Sequence, residues 1–150
     1  MIIFIDGDSC PVIKNTVKIA KEKNIETIIV KDYNHELNIG YGKVVTVSQE
    51  SDAADIYILN NISNEDILIT NDIGLASIAL SKKAKVIGFN GNLINNNNID
   101  FLLFTRHVNK LNRKNNIFNS KTKKRTKNDD LSFEKSLNKL IEENLNRNTI

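Results

Sequence analysis

Apolar residues fall in short unbroken runs, separated by stretches of helical period. Residues 2–5 (Ile-Ile-Phe-Ile) form one such run, as expected of a parallel strand buried on both faces. Pro11 suits the first turn of a helix, where its missing N–H costs nothing. Val12, Ile13, Val17 and Ala20 then follow helical spacing, which predicts a helix over 11–23. Further strands are predicted at 25–30, 44–47, 67–70 and 86–89. A loop over 33–43 holds Gly40-Tyr41-Gly42. Ser51-Asp52 predicts the cap of a helix running to about 60, with Ala54, Ile58 and Ile62 on one face. A short helix is predicted over 74–82, a polar loop over 90–98 and a helix over 99–113. In that last helix Leu102, Leu103, Val108, Leu111, Phe101 and Phe104 read as core. A final amphipathic helix, 131–145, carries Leu137, Leu140, Ile141 and Leu145 on one stripe.

Strands alternating with helices predict an α/β fold: a three-layer sandwich around a mostly parallel five-stranded sheet, plus the C-terminal helix. At 150 residues the chain fits one domain with a tail. The reading divides it into an α/β domain over 1–113, a linker over 114–130 and the final helix over 131–150. The content of 40% hydrophobic and 26% charged residues is that of a soluble globular protein. No apolar run approaches the ~20 residues of a membrane span. The start has no basic leader and meets a charge at Asp6, so no signal peptide is expected and the cytoplasm is the expected compartment. One cysteine excludes an internal disulfide, and two histidines make a cysteine–histidine zinc site a poor reading.

The net charge of +3 hides a division. Residues 1–100 carry nine Lys/Arg and thirteen Asp/Glu, whereas residues 101–128 carry nine Lys/Arg and no acid. An acidic body with one basic segment suits either an anionic partner or a solvated lysine-rich linker.

In open α/β sheets, sites form where strands end at their carboxyl side. Asp6 and Asp8 follow the first predicted strand, and Asp72 follows the fourth. Asp52 and Asp55 lie three apart at the start of the helix leading into that fourth strand, and so share a face. Each has a structural alternative: Asp72, Asn71 or Asp52 as a helix cap, Asp8 as a turn residue. Taken together, carboxylates meeting at one edge repel unless a cation joins them, and an all-oxygen set suits Mg²⁺ or Mn²⁺.

Three motifs resemble the YaiI/YqxD family of bacterial proteins, which look like PIN-domain proteins. They are Asp6-Gly-Asp-Ser-Cys-Pro-Val12, Ser51-Asp-Ala-Ala-Asp55 and Ile69-Thr-Asn-Asp-Ile-Gly-Leu-Ala76. Gly88-Phe-Asn-Gly91, Asn98-Ile99 and Arg106 add to the likeness, which covers most of the chain. The resemblance implies a PIN-like fold with the first strand beside the fourth, and a metal-dependent ribonuclease. Mg²⁺ or Mn²⁺ would be held by Asp6 and Asp72, with Asp55 near and Asp8 or Asp52 holding a second ion. PIN sites often take a Glu from an earlier helix, and no residue here matches it.

On this reading Ser9 and Thr70 orient a carboxylate or a water, and Asn71 supports the same turn. Arg106, Lys110, Arg113 and Lys114 hold a nucleic-acid backbone, preferably single-stranded RNA. Lys123, Lys124 and Arg125 fall in a flexible extension from Lys121 to Lys127. A homodimer is an open alternative for the final helix. His35, Tyr33 and Asn34 read as surface loop, Tyr41 as a turn, His107 as surface and Cys10 as packing. Two other functions fit parts of the pattern. Asp6-Gly7-Asp8 matches the opening of haloacid-dehalogenase-like phosphatases, with Asp6 as nucleophile. The basic segment alone fits a non-catalytic RNA-binding or regulatory protein.

Overall fold

A computed structural model describes residues 1–32, 36–116 and 123–149. Tyr33, Asn34, His35 and Lys121 lie outside these. In chain order the elements are β1 (Ile2–Asp6), α1 (Ile13–Lys23), β2 (Glu26–Asp32), β3 (Lys43–Val47), α2 (Ala53–Asn61), β4 (Ile67–Ile69) and α3 (Ile73–Ser81). They continue with β5 (Lys85–Ile87), β6 (Leu93–Ile94), α4 (Ile99–Lys114) and α5 (Lys127–Arg147). The strands form one sheet in the order β3-β2-β1-β4-β5-β6, parallel throughout except for antiparallel β6. β1 is central and pairs with β2 on one side and β4 on the other, Ile5 lying opposite both Ile29 and Ile69.

The unbroken apolar runs follow from burial on both faces. Ile3, Ile5, Ile29, Ile67, Ile69 and Ile87 pack against α1 and α5. Phe4, Ile28, Val30, Leu68 and Val86 face the other way, onto α2, α3 and the start of α4. Each fully buried side chain of this size contributes roughly 1.5–3 kcal/mol. The chain crosses sheet order at β1, so the carboxyl ends of β1, β2 and β4 border one crevice.

The structure corrects the sequence reading in several places. The sheet has six strands rather than five: β6 falls in the stretch read as a polar loop, and pairs through Val86 with Ile94 and Ile87 with Leu93. Two residues among asparagines are too few to show a period. Pro11 precedes α1, which begins at Ile13, because the Cys10 N–H first closes a turn on the Gly7 carbonyl at 3.3 Å. Asp52 occupies the cap position of α2, but at a φ of 68° its side chain caps nothing.

Phe101 and Phe104 are exposed, at 69% and 64%, and Leu111 with them. The face of α4 that meets the core is Ile99 with Leu102 and Leu103.

The last helix starts at Lys127, not 131. Thr126 and Asp129 form a capping box, the Thr126 N–H donating to Asp129 Oδ2 at 2.9 Å and the Asp129 N–H to Thr126 Oγ1 at 3.3 Å. Phe133, Leu137, Leu140 and Ile141 of α5 are buried in the same core as β1 and α1, whereas Leu145 stays exposed. Arg125 fastens the start of this helix. Its guanidinium donates to Asp130 Oδ1 at 2.7 Å, to Asn90 Oδ1 at 2.8 Å and to the Phe89 carbonyl at 2.8 Å. Gly91 has a φ of 85°, and a Cβ there would sit 2.6 Å from the Ser132 carbonyl oxygen, so glycine permits this close approach. Among the described residues no helix is long and apolar enough to cross a membrane.

Candidate functional site

Parallel pairing of β1 with β4 sets Ile5 against Ile69, so the next residues, Asp6 and Thr70, leave the sheet side by side. The buried Thr70 hydroxyl donates to Asp6 Oδ2 at 2.8 Å and accepts from the Asp72 N–H at 3.0 Å. Asp72 Oδ1 then accepts from the N–H groups of Gly74 and Leu75, at 2.9 and 3.2 Å, and so starts α3. One short turn therefore aims Asp6, caps a helix and places Asp72 beside it. Across β1, Asp8 Oδ1 accepts from the Asp32 N–H at 3.2 Å, where β2 ends. The first turn of α2 brings Asp52 and Asp55 to the same crevice.

The result is a cleft of about 340 Å³ walled by Asp6, Asp8, Asp32, Glu50, Asp52, Asp55 and Asp72. Its remaining described lining is Val47, Ser48, Gln49, Ala53 and Ala54, so among the described residues it includes no lysine or arginine. Arg106 of α4 stands at the rim, its Nη1 4.0 Å from Asp72 Oδ1 and more than half exposed. A pair so long and so wet is worth little. Gly74 makes room for it, since a Cβ there would lie 2.7 Å from Arg106 Nη1.

Crowding shows in the acidities. The Asp6 carboxyl is pushed up to about 6. Burial is the main cause, resisted by the Thr70 hydroxyl and reinforced by the charges of Asp55, Asp72 and Asp8. Asp55 is raised by burial and by Asp72 and Asp52, with Arg106 easing it. Burial also pushes the Cys10 thiol up to about 11, which leaves it protonated near neutral pH and a poor nucleophile.

All five aspartates singled out in the sequence line this cleft, and Thr70 supports it from beneath. Ser9 is exposed at a φ of 61° and is not part of the lining. Asn71 turns the other way, its Oδ1 accepting from the Phe89 N–H at 2.8 Å and tying the β4 turn to the β5–β6 loop. Asp32 and Glu50 are acids the sequence reading misses. Asp32 closes β2 as Asp6 closes β1, but a strand read as ending at Val30 leaves it outside the pattern. Lys110, Arg113, Lys114, Lys123 and Lys124 are exposed, while Arg125 is engaged in fastening α5. Tyr41 donates its hydroxyl to the Ile25 carbonyl at 2.8 Å and packs on the core.

A larger hollow, about 410 Å³, lies at the amino ends of β4 and β5, with Glu65, Lys83 and Lys85 among mixed polar and apolar neighbours. It gathers no set of like functional groups, so the acidic cleft is the stronger candidate despite its smaller volume. In kind and charge the cleft's donors suit a hard divalent cation. Among the described residues, however, no three Asp, Glu, His or Cys side chains stand close enough to hold one ion. Binding would require two or more of these carboxylates to swing inward.

A protein-family model described as the uncharacterised YaiI/YqxD family matches residues 4–143. A UPF0178 protein of Lachnoclostridium phytofermentans is 44% identical over 144 residues, covering 94% of this chain and 97% of its own. UPF0178 proteins of Natranaerobius thermophilus and Alkaliphilus oremlandii are each 42% identical. The first alignment covers 94% of this chain and 96% of the relative, the second 97% and 94%. No solved structure matches the chain.

Proposed function

The chain belongs to the YaiI/YqxD family, and from that premise we propose that it is a metal-dependent nuclease on a three-layer, PIN-like fold, with single-stranded RNA as its preferred substrate. The observation that carries this reading is the wall of seven carboxylates around about 340 Å³ with no basic residue among the described residues of the lining. Like charges lining one cleft favour a cationic ligand, and a divalent cation is the one whose chemistry fits carboxylate oxygens. Asp6, Asp55 and Asp72, with Asp8 and Asp52 beside them, are the residues that would hold Mg²⁺ or Mn²⁺. A cation bound there would supply the Lewis acidity that activates water and offsets charge on a scissile phosphodiester.

The chain's own residues account for the rest. Thr70 fixes Asp6 through one carboxylate oxygen, and the start of α3 fixes Asp72 through Oδ1, leaving Asp72 Oδ2 for a ligand. Arg106 over Gly74 puts one positive group at the mouth of an otherwise repellent cleft. Lys110 and Arg113 continue that charge along α4, and Lys123 and Lys124 lie exposed ahead of α5. Binding through such residues weakens steeply with salt. A phosphatase using Asp6 as nucleophile asks for a basic group against the phosphate inside the cleft, and the lining offers none, so the observations favour the nuclease.

Adding MnCl₂ or MgCl₂ to the wild-type protein should raise its melting temperature, and single-stranded RNA oligonucleotides should then be shortened. Asp72→Asn keeps a good helix cap but loses a charge, and should show neither effect. A wild-type melting curve that millimolar metal leaves in place, or metal-dependent binding without strand shortening, would replace this reading with a non-catalytic one.

A further inference from the structure

Helix α4 is apolar on two faces. Ile99, Leu102 and Leu103 turn onto the core. Phe101, Phe104, Val108 and Leu111 recur at steps of three, four and three, which is the seam spacing of a helix that pairs with another helix. Both rings and Leu111 are exposed, so no other part of the described chain covers this seam. It lies away from the acidic cleft. Arg106, which reaches the cleft, is roughly 140–160° around the helix from every seam residue.

We propose that the seam is the docking surface for a second copy of the chain, whose α4 runs antiparallel to the first about a twofold axis. The charges flanking the seam choose this occupant and this direction. Asp100 lies in the first turn and Lys114 in the last, with no other acid on the helix. In an antiparallel pair each Asp100 comes to the end where Lys114 of the second copy lies, so the contact closes with two equivalent ion pairs. A parallel pair would stack Asp100 on Asp100 and Lys114 on Lys114, with both helix dipoles aligned. Size agrees with charge. Antiparallel register sets Phe101 opposite Leu111 and Phe104 opposite Val108, so each large ring meets a smaller aliphatic chain. One 16-residue helix pair stands at the small end of specific interfaces, below about 1,200 Å², the class of weak and transient contacts.

Sedimentation velocity on the full chain from about 1 to 200 μM in low salt reads the equilibrium directly, on the scale where specific small interfaces associate. The wild type should pass from monomer to dimer across that range. Phe104→Asp, at an exposed position, should weaken association at least tenfold while the circular dichroism spectrum and melting temperature stay as they were. Asp100→Lys and Lys114→Asp should each weaken it about threefold to tenfold, and the two together should restore it. Four results would overturn the proposal. The first three are a wild type that stays monomeric throughout, a Phe104→Asp variant that dimerises as the wild type does, and a double exchange that fails to recover association. The fourth is a monomer that loses binding to a single-stranded RNA 20-mer on Phe104→Asp, which would give the seam to nucleic acid.

Discussion

The two sides of β1 treat charge in opposite ways. Where α5 lies on the core, three of its polar contacts are well made, although Glu65 Oε2 is buried without a partner among the described residues. Asn15 Nδ2 donates to Glu134 Oε1 at 2.8 Å, the buried Asn144 amide donates to the Glu65 carbonyl at 3.1 Å, and Arg125 spends its guanidinium on three acceptors. At the carboxyl ends of β1, β2 and β4, seven acids share one cleft, and among the described residues one arginine stands at its edge. The first arrangement lowers the energy of the chain by itself. The second is held in place by the first and by the sheet, and on the proposed reading a cation inside would relieve it.

That contrast is open to attack from both sides. Phe133→Ala should do the most damage. The ring is fully buried between α5, α1 and the sheet, and its loss should cost roughly 3–5 kcal/mol in urea unfolding. Arg125→Ala should cost about 1–2 kcal/mol, because its charged hydrogen bonds are partly open to water. Hydrogen exchange in the first turns of α5 should rise more than elsewhere.

The cleft should answer in the opposite sense. Asp6 is raised in the folded state from 3.8 to about 6, so the folded chain binds its proton more tightly than the unfolded chain does. The stability this confers is complete below pH 3.8 and is lost as pH rises through about 6. At pH 7–8 and without metal, Asp6→Asn should therefore stabilise the protein by an amount on the order of 1–2 kcal/mol. The gain should shrink as pH falls from 6 toward 4, which melting curves across that window will check. A gain that does not change with pH would mean that neither the burial of the Asp6 charge nor its acidic neighbours are the cause.

Gly74→Ala should have the smallest effect. The new methyl meets the end of the Arg106 side chain and, at 3.3 Å, Asp72 Oδ1, and alanine improves helix propensity, so stability should move by less than about 1 kcal/mol. Displacing the guanidinium should push Asp55 further up, which a carboxyl NMR titration would register.

Much of this was legible in the sequence, and the failures share a cause. The strands that became β1, β2, β4 and β5 announce themselves because they are buried on both faces. Asp6, Asp55 and Asp72 follow from asking which acids sit where strands or helices meet the sheet edge. Asp32 escaped because it depends on where a strand stops, and boundaries are set by pairing partners far along the chain. The two-residue β6 exists only because β5 offers it an edge. Phe101 and Phe104 were misread as core because apolar spacing shows that a face is apolar without showing what it meets. The motif resemblance narrowed the family, and the chemistry of the cleft remains a proposal that rests on its charge.

The burial of Phe133, Leu137 and Ile141 against Ile3 and Ile5 also bears on synthesis. One flank of β1 is completed by α5, which leaves the ribosome long after it. A nascent chain arrested near residue 125 would carry a bare isoleucine-rich sheet surface, a natural target for a holding chaperone. Release should come as a single late event when α5 emerges and Arg125 finds the Phe89 carbonyl.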